Sequence, residues 1–292
     1  MATTGQYTAN QLDSPPRQFR RCLSPAYRSV FTVKIRSTVT LWGVYSVWRR
    51  HVKVFQNTWI VNFLPPILEP IVYLVSFGIG LTPLIGNVTY EGQTISYLAF
   101  LAPGMIAAGA LYPSFFEGSY GTFIRLRFEK IWQAMLTAPL TFTEVFLGDW
   151  LWAATRGTVV GFMTGMVAVV WGLYSFWHLL LSLPLIFLGS LLFAAIGLFT
   201  AGCVKTMDQV NIPVFLLIIP MFTFCGTYFP RNTLPPLLKT ITGLFPLSAF
   251  TDLLRWSLGL PSFWLLELLW MFLCTIVFGI LAWRRIYPQL FR

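Results

Sequence analysis

Charge is the scarcest property of this 292-residue chain. Only 10% of its residues are Asp, Glu, Lys or Arg, against about 25% in an ordinary soluble domain. So little charge cannot solvate a globular surface, and 56% of the chain is hydrophobic; an integral membrane protein is expected. Histidine is nearly missing: His51 and His178 are the only two and lie in different regions, which argues against a His-based metal centre. The four cysteines, Cys22, Cys203, Cys225 and Cys274, form no C-x-x-C pair. Three lie in or beside apolar runs and read as small apolar residues, so neither a disulfide framework nor a metal site is expected. No G-x-x-x-x-G-K-[ST] loop occurs, so nucleotide phosphates are not cradled by that route. No Ser-His-Asp set, no carboxylate pair in a catalytic setting and no internal repeat is evident. The first 36 residues hold no long apolar run, and no cleavable secretory signal is expected.

What is present is a series of apolar runs. A crossing helix needs about 20 such residues, and six candidates fall at roughly 59–81, 98–120, 145–171, 178–203, 210–229 and 264–283. The third is expected to begin near Phe146, because Glu144, Asp149 and Arg156 intrude on its start. The net charge of +10 then reads as topology rather than nucleic-acid binding. With six spans, seventeen of the 20 Lys and Arg fall on one side, and only Arg231, Lys239 and Arg255 on the other. Lys and Arg mark the cytoplasmic side, so both termini are expected to be cytoplasmic.

Ahead of the spans, residues 1–37 form a polar basic tail in which Phe31, Val33 and Ile35 alternate with Thr32, Lys34 and Arg36, weak evidence of a strand. Over 38–56, Leu41, Tyr45, Trp48, Val52 and Phe55 make one apolar stripe, with Arg49, Arg50 and Lys53 off it. A basic helix with an aromatic face suits a membrane surface; the plainer alternative is a soluble helix packed on a partner. The body that holds the spans is expected over 57–292.

Five features carry mechanism. First, the loop 121–144 predicts a short helix, ended by Pro139. Phe128, Ile131 or Trp132, and Met135 share one face, and Arg125, Glu129 and Gln133 another at i, i+4 spacing; Arg127 lies between. Such a helix can present an aromatic knob and charges to a soluble partner, or contact only lipid. Second, the segment Gly226, Phe229, Pro230, Pro235 and Pro246 is broken by Gly and Pro yet apolar between its breaks. Backbone of this kind is tolerated at membrane depth only inside protein. Two short helices, near 233–243 and 248–259, are expected within a re-entrant stretch 230–262, with Ser248 as an N-cap; an ordinary external loop is the alternative. Third, Gly157, Gly161 and Gly165 strip one helix face of side chains, for an internal contact or a dimer seam, the internal contact favoured. Fourth, Glu69 lies near mid-membrane, where an acid costs about 2.5–3.5 kcal/mol on insertion scales; it lines a cavity, pairs across helices, is protonated, or caps a break made by Pro65, Pro66 and Pro70. Glu117, near the cytoplasmic end of the second span, is expected to snorkel or pair with the loop arginines. Fifth, most of the 27 Phe, 12 Trp and 11 Tyr read as interfacial anchors, although aromatic faces also stack on sugars.

The Gly…Phe-Pro, Leu-Pro and Pro-Leu series over 226–247 resembles the signature before the last span of type-2 ABC transporter permeases. Residues 129–154, EKIWQAMLTAPLTFTEVFLGDWLWAA, resemble the NodJ-type subfamily: Trp132, Ala134, Met135 and Leu136, then Leu147, Gly148, Asp149, Trp152, Ala153 and Arg156. The likeness spans residues 40–290. It implies an all-α membrane protein of six transmembrane helices, with an interfacial helix before them and two re-entrant helices that plug the pathway before the last span. It further implies that Arg125, Arg127, Phe128, Glu129, Trp132 and Met135 couple the chain to two copies of a separate ATPase, which holds the ATP and Mg; no cofactor is expected on this chain. A second permease copy, more readily the same chain than a sister one, membrane lipid, the bacterial inner membrane, and outward movement of a glycolipid, lipo-oligosaccharide or polysaccharide follow from the same likeness. Efflux of hydrophobic drugs or natural products is the alternative within the family. An ion-coupled secondary transporter has only Glu69 as a deep titratable group. A membrane transferase has only Glu144 and Asp149.

Overall fold

The computed structural model describes residues 39–90, 92–260 and 263–290, without side chains at 60–67, 69, 70 and 74. The tail and its alternating segment lie outside the described residues. The rest is mostly helical, with one hairpin and irregular connections. In chain order the helices are α1 (Leu41–Gln56), α2 (Trp59–Gly80), α3 (Tyr97–Phe128), α4 (Ile131–Leu136), α5 (Phe142–Val170), α6 (Phe176–Cys203), α7 (Asp208–Phe224), α8 (Pro236–Leu244), α9 (Pro246–Trp256) and α10 (Trp264–Leu290). The strands β1 (Asn87–Tyr90) and β2 (Gln93–Ser96) pair antiparallel, Asn87 opposite Ser96.

Local chemistry sets several boundaries. The Thr40 hydroxyl accepts from the Gly43 N–H at 3.2 Å and opens α1. Thr141 and Glu144 form a reciprocal capping box, so α5 begins at Phe142, earlier than the apolar run alone suggests. Pro236 and Pro246 take the first helical positions of α8 and α9, where proline's missing N–H leaves no bond unmade. Helix α9 therefore starts two residues before Ser248, and Phe245, not Ser248, occupies the cap; the Ser248 hydroxyl donates to the Phe245 carbonyl at 2.7 Å.

By length and composition, α3, α5, α6 and α10 can each cross a membrane. Helices α8 and α9 are bent by 85° across Phe245 and make a fifth crossing if counted as one. Helix α2 is 22 residues long; α7 is apolar but shorter. The run expected over 210–229 stops as helix at Phe224, because Gly226 at φ +84° turns the chain. Helix α3 runs past residue 120 instead, in wide turns at Glu117–Gly121 and Ile124–Phe128, the Glu129 N–H donating to the Ile124 carbonyl at 3.0 Å.

The main core lies among α3, α5, α6, α7, α9 and α10, with Phe115, Phe193, Phe250, Met221 and Met271 buried together. Small residues let backbones meet: a Cβ on Gly197 would stand 2.5 Å from the Phe115 carbonyl oxygen. A second core joins Val47, Leu126, Trp132, Phe142, Phe146, Leu198 and Ile286 at the end where α3 finishes. That end carries the functional residues described next.

Candidate functional site at the end of α3

Two charged clusters sit at opposite ends of α3. The first joins α1, α3 and α5. Asp149, fully buried on α5, has Oδ1 at 3.0 Å from Arg125 Nε and 3.1 Å from His51 Nε2. Its Oδ2 accepts from the Thr122 hydroxyl at 2.6 Å and Arg125 Nη2 at 3.2 Å. Glu117 accepts from Arg125 Nη1 at 2.5 Å and from the Trp152 indole at 2.9 Å, and pairs with Arg156 through its other oxygen. The His51 ring stacks on Trp152, and Phe55 meets the same indole edge-on. Two carboxylates thus face two guanidiniums and an imidazole, almost out of water. In such a setting each charge depends on its partners.

The wide turns of α3 make this possible by continuing the helix far enough to aim Arg125 back at α5, and such turns recur at functional sites. Lys130, at φ +51°, then breaks the chain before α4; a non-glycine residue there is uncommon. This break corrects the expected single helix. Phe128 is 65% exposed, whereas Trp132 is fully buried and Met135 nearly so, so they share no face. Trp132 is a core residue among Phe142 and Phe146, not a knob offered to a partner. What the surface offers instead is Phe128, Arg127, Glu129 and Lys130. The Arg127 guanidinium donates to Gln289 of α10 at 2.8 Å.

Glu144 binds α1 to α5. One carboxylate oxygen accepts from the Thr40 N–H at 2.7 Å and hydroxyl at 2.5 Å, the other from the Thr141 N–H at 2.7 Å. Only glycine fits opposite it: a Cβ on Gly43 would lie 2.4 Å from the Glu144 carboxyl carbon. On α1 itself the buried face is Gly43, Val47 and His51. Of the stripe Leu41, Tyr45, Trp48, Val52 and Phe55, Leu41 and Tyr45 are exposed, whereas Trp48, Val52 and Phe55 are half-buried, the Trp48 indole donating to the Thr155 hydroxyl of α5 at 3.1 Å and Phe55 meeting Trp152. Arg49 and Lys53 are exposed and Arg50 half-buried.

Gly157, Gly161 and Gly165 all face other helices of the same chain. Cβ atoms there would stand 2.6 Å from the Ala110 carbonyl, 3.1 Å from Ala110 Cβ and 2.3 Å from Leu179, in that order. Glu69 lies on α2, and its side chain is among those outside the description.

The second cluster, at the hairpin end, was not anticipated. Asp252 accepts from the Tyr90 hydroxyl at 3.0 Å and pairs with Arg231 and Arg255. Arg255 is 1% exposed; it donates to the Gly226 carbonyl at 2.5 Å and covers the Phe100 ring at 4.1 Å. Burial, then the Asp252 carboxylate, push the Tyr90 phenol well above its ordinary range. The cluster clamps the hairpin and the turn at Gly226 against α9. Pro230 is buried, Phe229 and Pro246 are half-buried, and Pro235 is exposed. A sequence-level signal existed for part of this: Arg255 and Asp252 share a helix face at i, i+3 spacing. The sequence signal for Glu144 was Thr-x-x-Glu. Nothing local marks His51 or Tyr90.

The bundle of apolar helices and the bent pair before the last helix define a polytopic helical membrane protein. The ABC-2 type transporter description fits residues 43–259, and the chain belongs to that family. It is similar to "Nodulation protein J" of Neorhizobium galegae, 36% identical over 211 residues, covering 72% of this chain and 79% of the relative. The same protein of Rhizobium meliloti (strain 1021) is 33% identical over 214 residues, 73% and 80% of the two chains. More distant is the "Inner membrane transport permease YadH" of Escherichia coli (strain K12), 23% identical over 205 residues, 69% and 77%.

Proposed function

We propose that this chain is the permease subunit of an ATP-driven exporter that moves an amphipathic substrate outward, of the glycolipid, lipo-oligosaccharide or polysaccharide type. Two copies of the chain form the pathway, each with six spans and cytoplasmic termini. Two copies of a separate ATP-binding-cassette ATPase, holding ATP and Mg, dock where α3 ends. The inner-membrane placement is supported by the name of the Escherichia coli relative.

The observation that carries the reading is the continuity of α3. It runs from the hairpin cluster to the exposed Phe128–Lys130 corner, and Arg125 ties it on the way to Asp149 of α5 and through it to His51 of α1. A push on that corner moves α1, α3 and α5 together, because separating them strands buried charge, a loss of about 3–5 kcal/mol per broken pair. Membrane helices so linked transmit a partner's closure without chemistry of their own.

The test is purification of the tagged chain in mild detergent, with mass spectrometry of what accompanies it and an ATPase assay. Near-stoichiometric recovery of a protein bearing a Walker-A loop, with vanadate-sensitive hydrolysis, is expected. Repeated recovery of the chain alone, under conditions that keep known complexes intact, would end this reading and favour an ion-coupled transporter.

A further inference from the structure

The exposed corner at Phe128 has a neighbour from another part of the chain. Residues 204–207 join α6 to α7, and the two valines that flank this turn, Val204 and Val210, are buried with Phe123 of α3. The Phe128 ring meets the same Phe123 edge-on at 5.9 Å, and the Arg127 guanidinium lies over it at 5.8 Å. Arg127 also donates to the Val204 carbonyl at 3.4 Å and to Gln289 of α10, whose amide donates to the Gly202 carbonyl at 2.5 Å. The ends of α3, α6 and α10 and the turn thus form one platform, built over a single buried ring.

Bonds within the turn hold its tip outward. The Lys205 N–H donates to the Gln209 side-chain carbonyl at 2.8 Å, and the Val210 N–H to the Met207 carbonyl at 3.1 Å. Met207 is 41% exposed and stands among the exposed Lys205, Thr206, Asp208 and Gln209. Scattered apolar residues on a surface need no explanation, but here Met207 and Phe128 project from the same platform. Lipid suits them poorly, because the polar residues around Met207 would lose their water. A protein surface covers the two apolar tips and leaves the polar rim wet, as interfaces do. The exposed Arg127, Lys130 and Lys205 outnumber Glu129 and Asp208. Asp208 also lies in the first turn of α7, where the helix amides offset its charge. The face is therefore cationic, and a complementary rim is acidic.

We infer that the α6–α7 turn is a second docking element for the ATPase. Met207 enters an apolar notch rimmed by carboxylates, next to the surface that takes Phe128. The inference rests on the exporter reading and adds to it a contact outside the loop between α3 and α5. A partner that holds both tips grips α3 and the α6–α7 turn together, and the Arg127–Gln289 bond carries its movement directly to α10, the last helix.

The test is photo-crosslinking in the complex of the full chain with its Walker-A subunit. The photoreactive residue p-benzoylphenylalanine is placed in turn at Met207, at Phe128 and at Leu216, which is 77% exposed further along α7. Adducts with the Walker-A subunit are expected from Met207 and Phe128 and none from Leu216. Met207→Ala is expected to weaken recovery of the ATPase about fivefold, the scale of a side chain at an interface centre. Lys205→Glu is expected to weaken it about tenfold, by setting like charges face to face. Both side chains are exposed, so thermal unfolding of the two variants is expected to match wild type. A Walker-A adduct from Phe128, with only lipid adducts or none from Met207, overturns the inference and leaves the exporter reading standing. Full ATPase recovery in both variants does the same. If no ATPase accompanies the chain, or neither position reaches it, the docking end assigned by the exporter reading falls, and the second contact falls with it.

Discussion

At the scale of single residues, burial separates side chains that sequence spacing placed together. Trp132 and Phe128 both looked like contacts for a partner, yet one fills the core and the other stands in the open. Replacing Trp132 with Ala removes a fully buried indole and is expected to destabilise the protein by about 3–5 kcal/mol. Phe128→Ala is expected to change stability by no more than about 0.5 kcal/mol while weakening recovery of the ATPase. Chemical unfolding in mixed micelles, run beside co-purification, separates the two effects; equal destabilisation by both would contradict the assignment. Tyr90 carries the pH dependence. Its raised phenol ionises more readily in the unfolded chain, so the stability it adds is full below about pH 10 and fades as pH climbs through its folded value. Absorbance titration of wild type against Tyr90→Phe is therefore expected to show no Tyr90 ionisation below about pH 11 in the folded protein.

At the scale of elements, caps and close contacts decide how helices join. Glu144 closes the starts of both α1 and α5, so Glu144→Ala is expected to lose about 2 kcal/mol, roughly one cap at each helix. If that variant unfolds like wild type, the double cap carries no stability. Gly226 sits at φ +84° with its carbonyl held by Arg255. Gly226→Ala is expected to cost about 1–2 kcal/mol from backbone strain alone. Limited proteolysis near Arg231 should reveal the loosened turn. The elements themselves were largely legible beforehand. Apolar runs announced α2, α3, α5, α6 and α10 because a helix that faces lipid must be apolar along its length. The two short helices before the last one were legible, but their starts were not: Pro236 and Pro246 occupy the first turns, where the sequence pointed to 233 and to a cap at Ser248. The extension of α3 past residue 120 was not legible. There the sequence turns polar at Glu117, Arg125 and Arg127; Glu117 and Arg125 pair with each other within α3, and their partners from outside it, with those of Arg127, come from α5, α10 and the chain after α6.

At the scale of the whole molecule, the two charged clusters lie at the two ends of α3, and the exporter reading assigns them to opposite sides of the membrane. Single cysteines at Asn87 of the hairpin and at Phe128 are expected to react with an impermeant maleimide only from outside and only from inside, respectively. Labelling of both from one side would overturn the six-span topology.

The amino-acid sequence by itself determined that this is a helical membrane protein of the ABC-2 type. Scarce charge, long apolar runs and the Pro/Gly breaks at 226–247 are local properties, and lipid imposes them on the chain residue by residue. Tertiary structure alone decided which charges pair. His51, Arg125 and Asp149 lie far apart in the chain, as do Tyr90 and Asp252, and their pairing follows from how the helices pack. The same packing buried Trp132 and turned Gly157 and Gly161 toward Ala110, and Gly165 toward Leu179. Burial is a property of neighbours brought in from elsewhere in the chain, and no spacing along one helix specifies them.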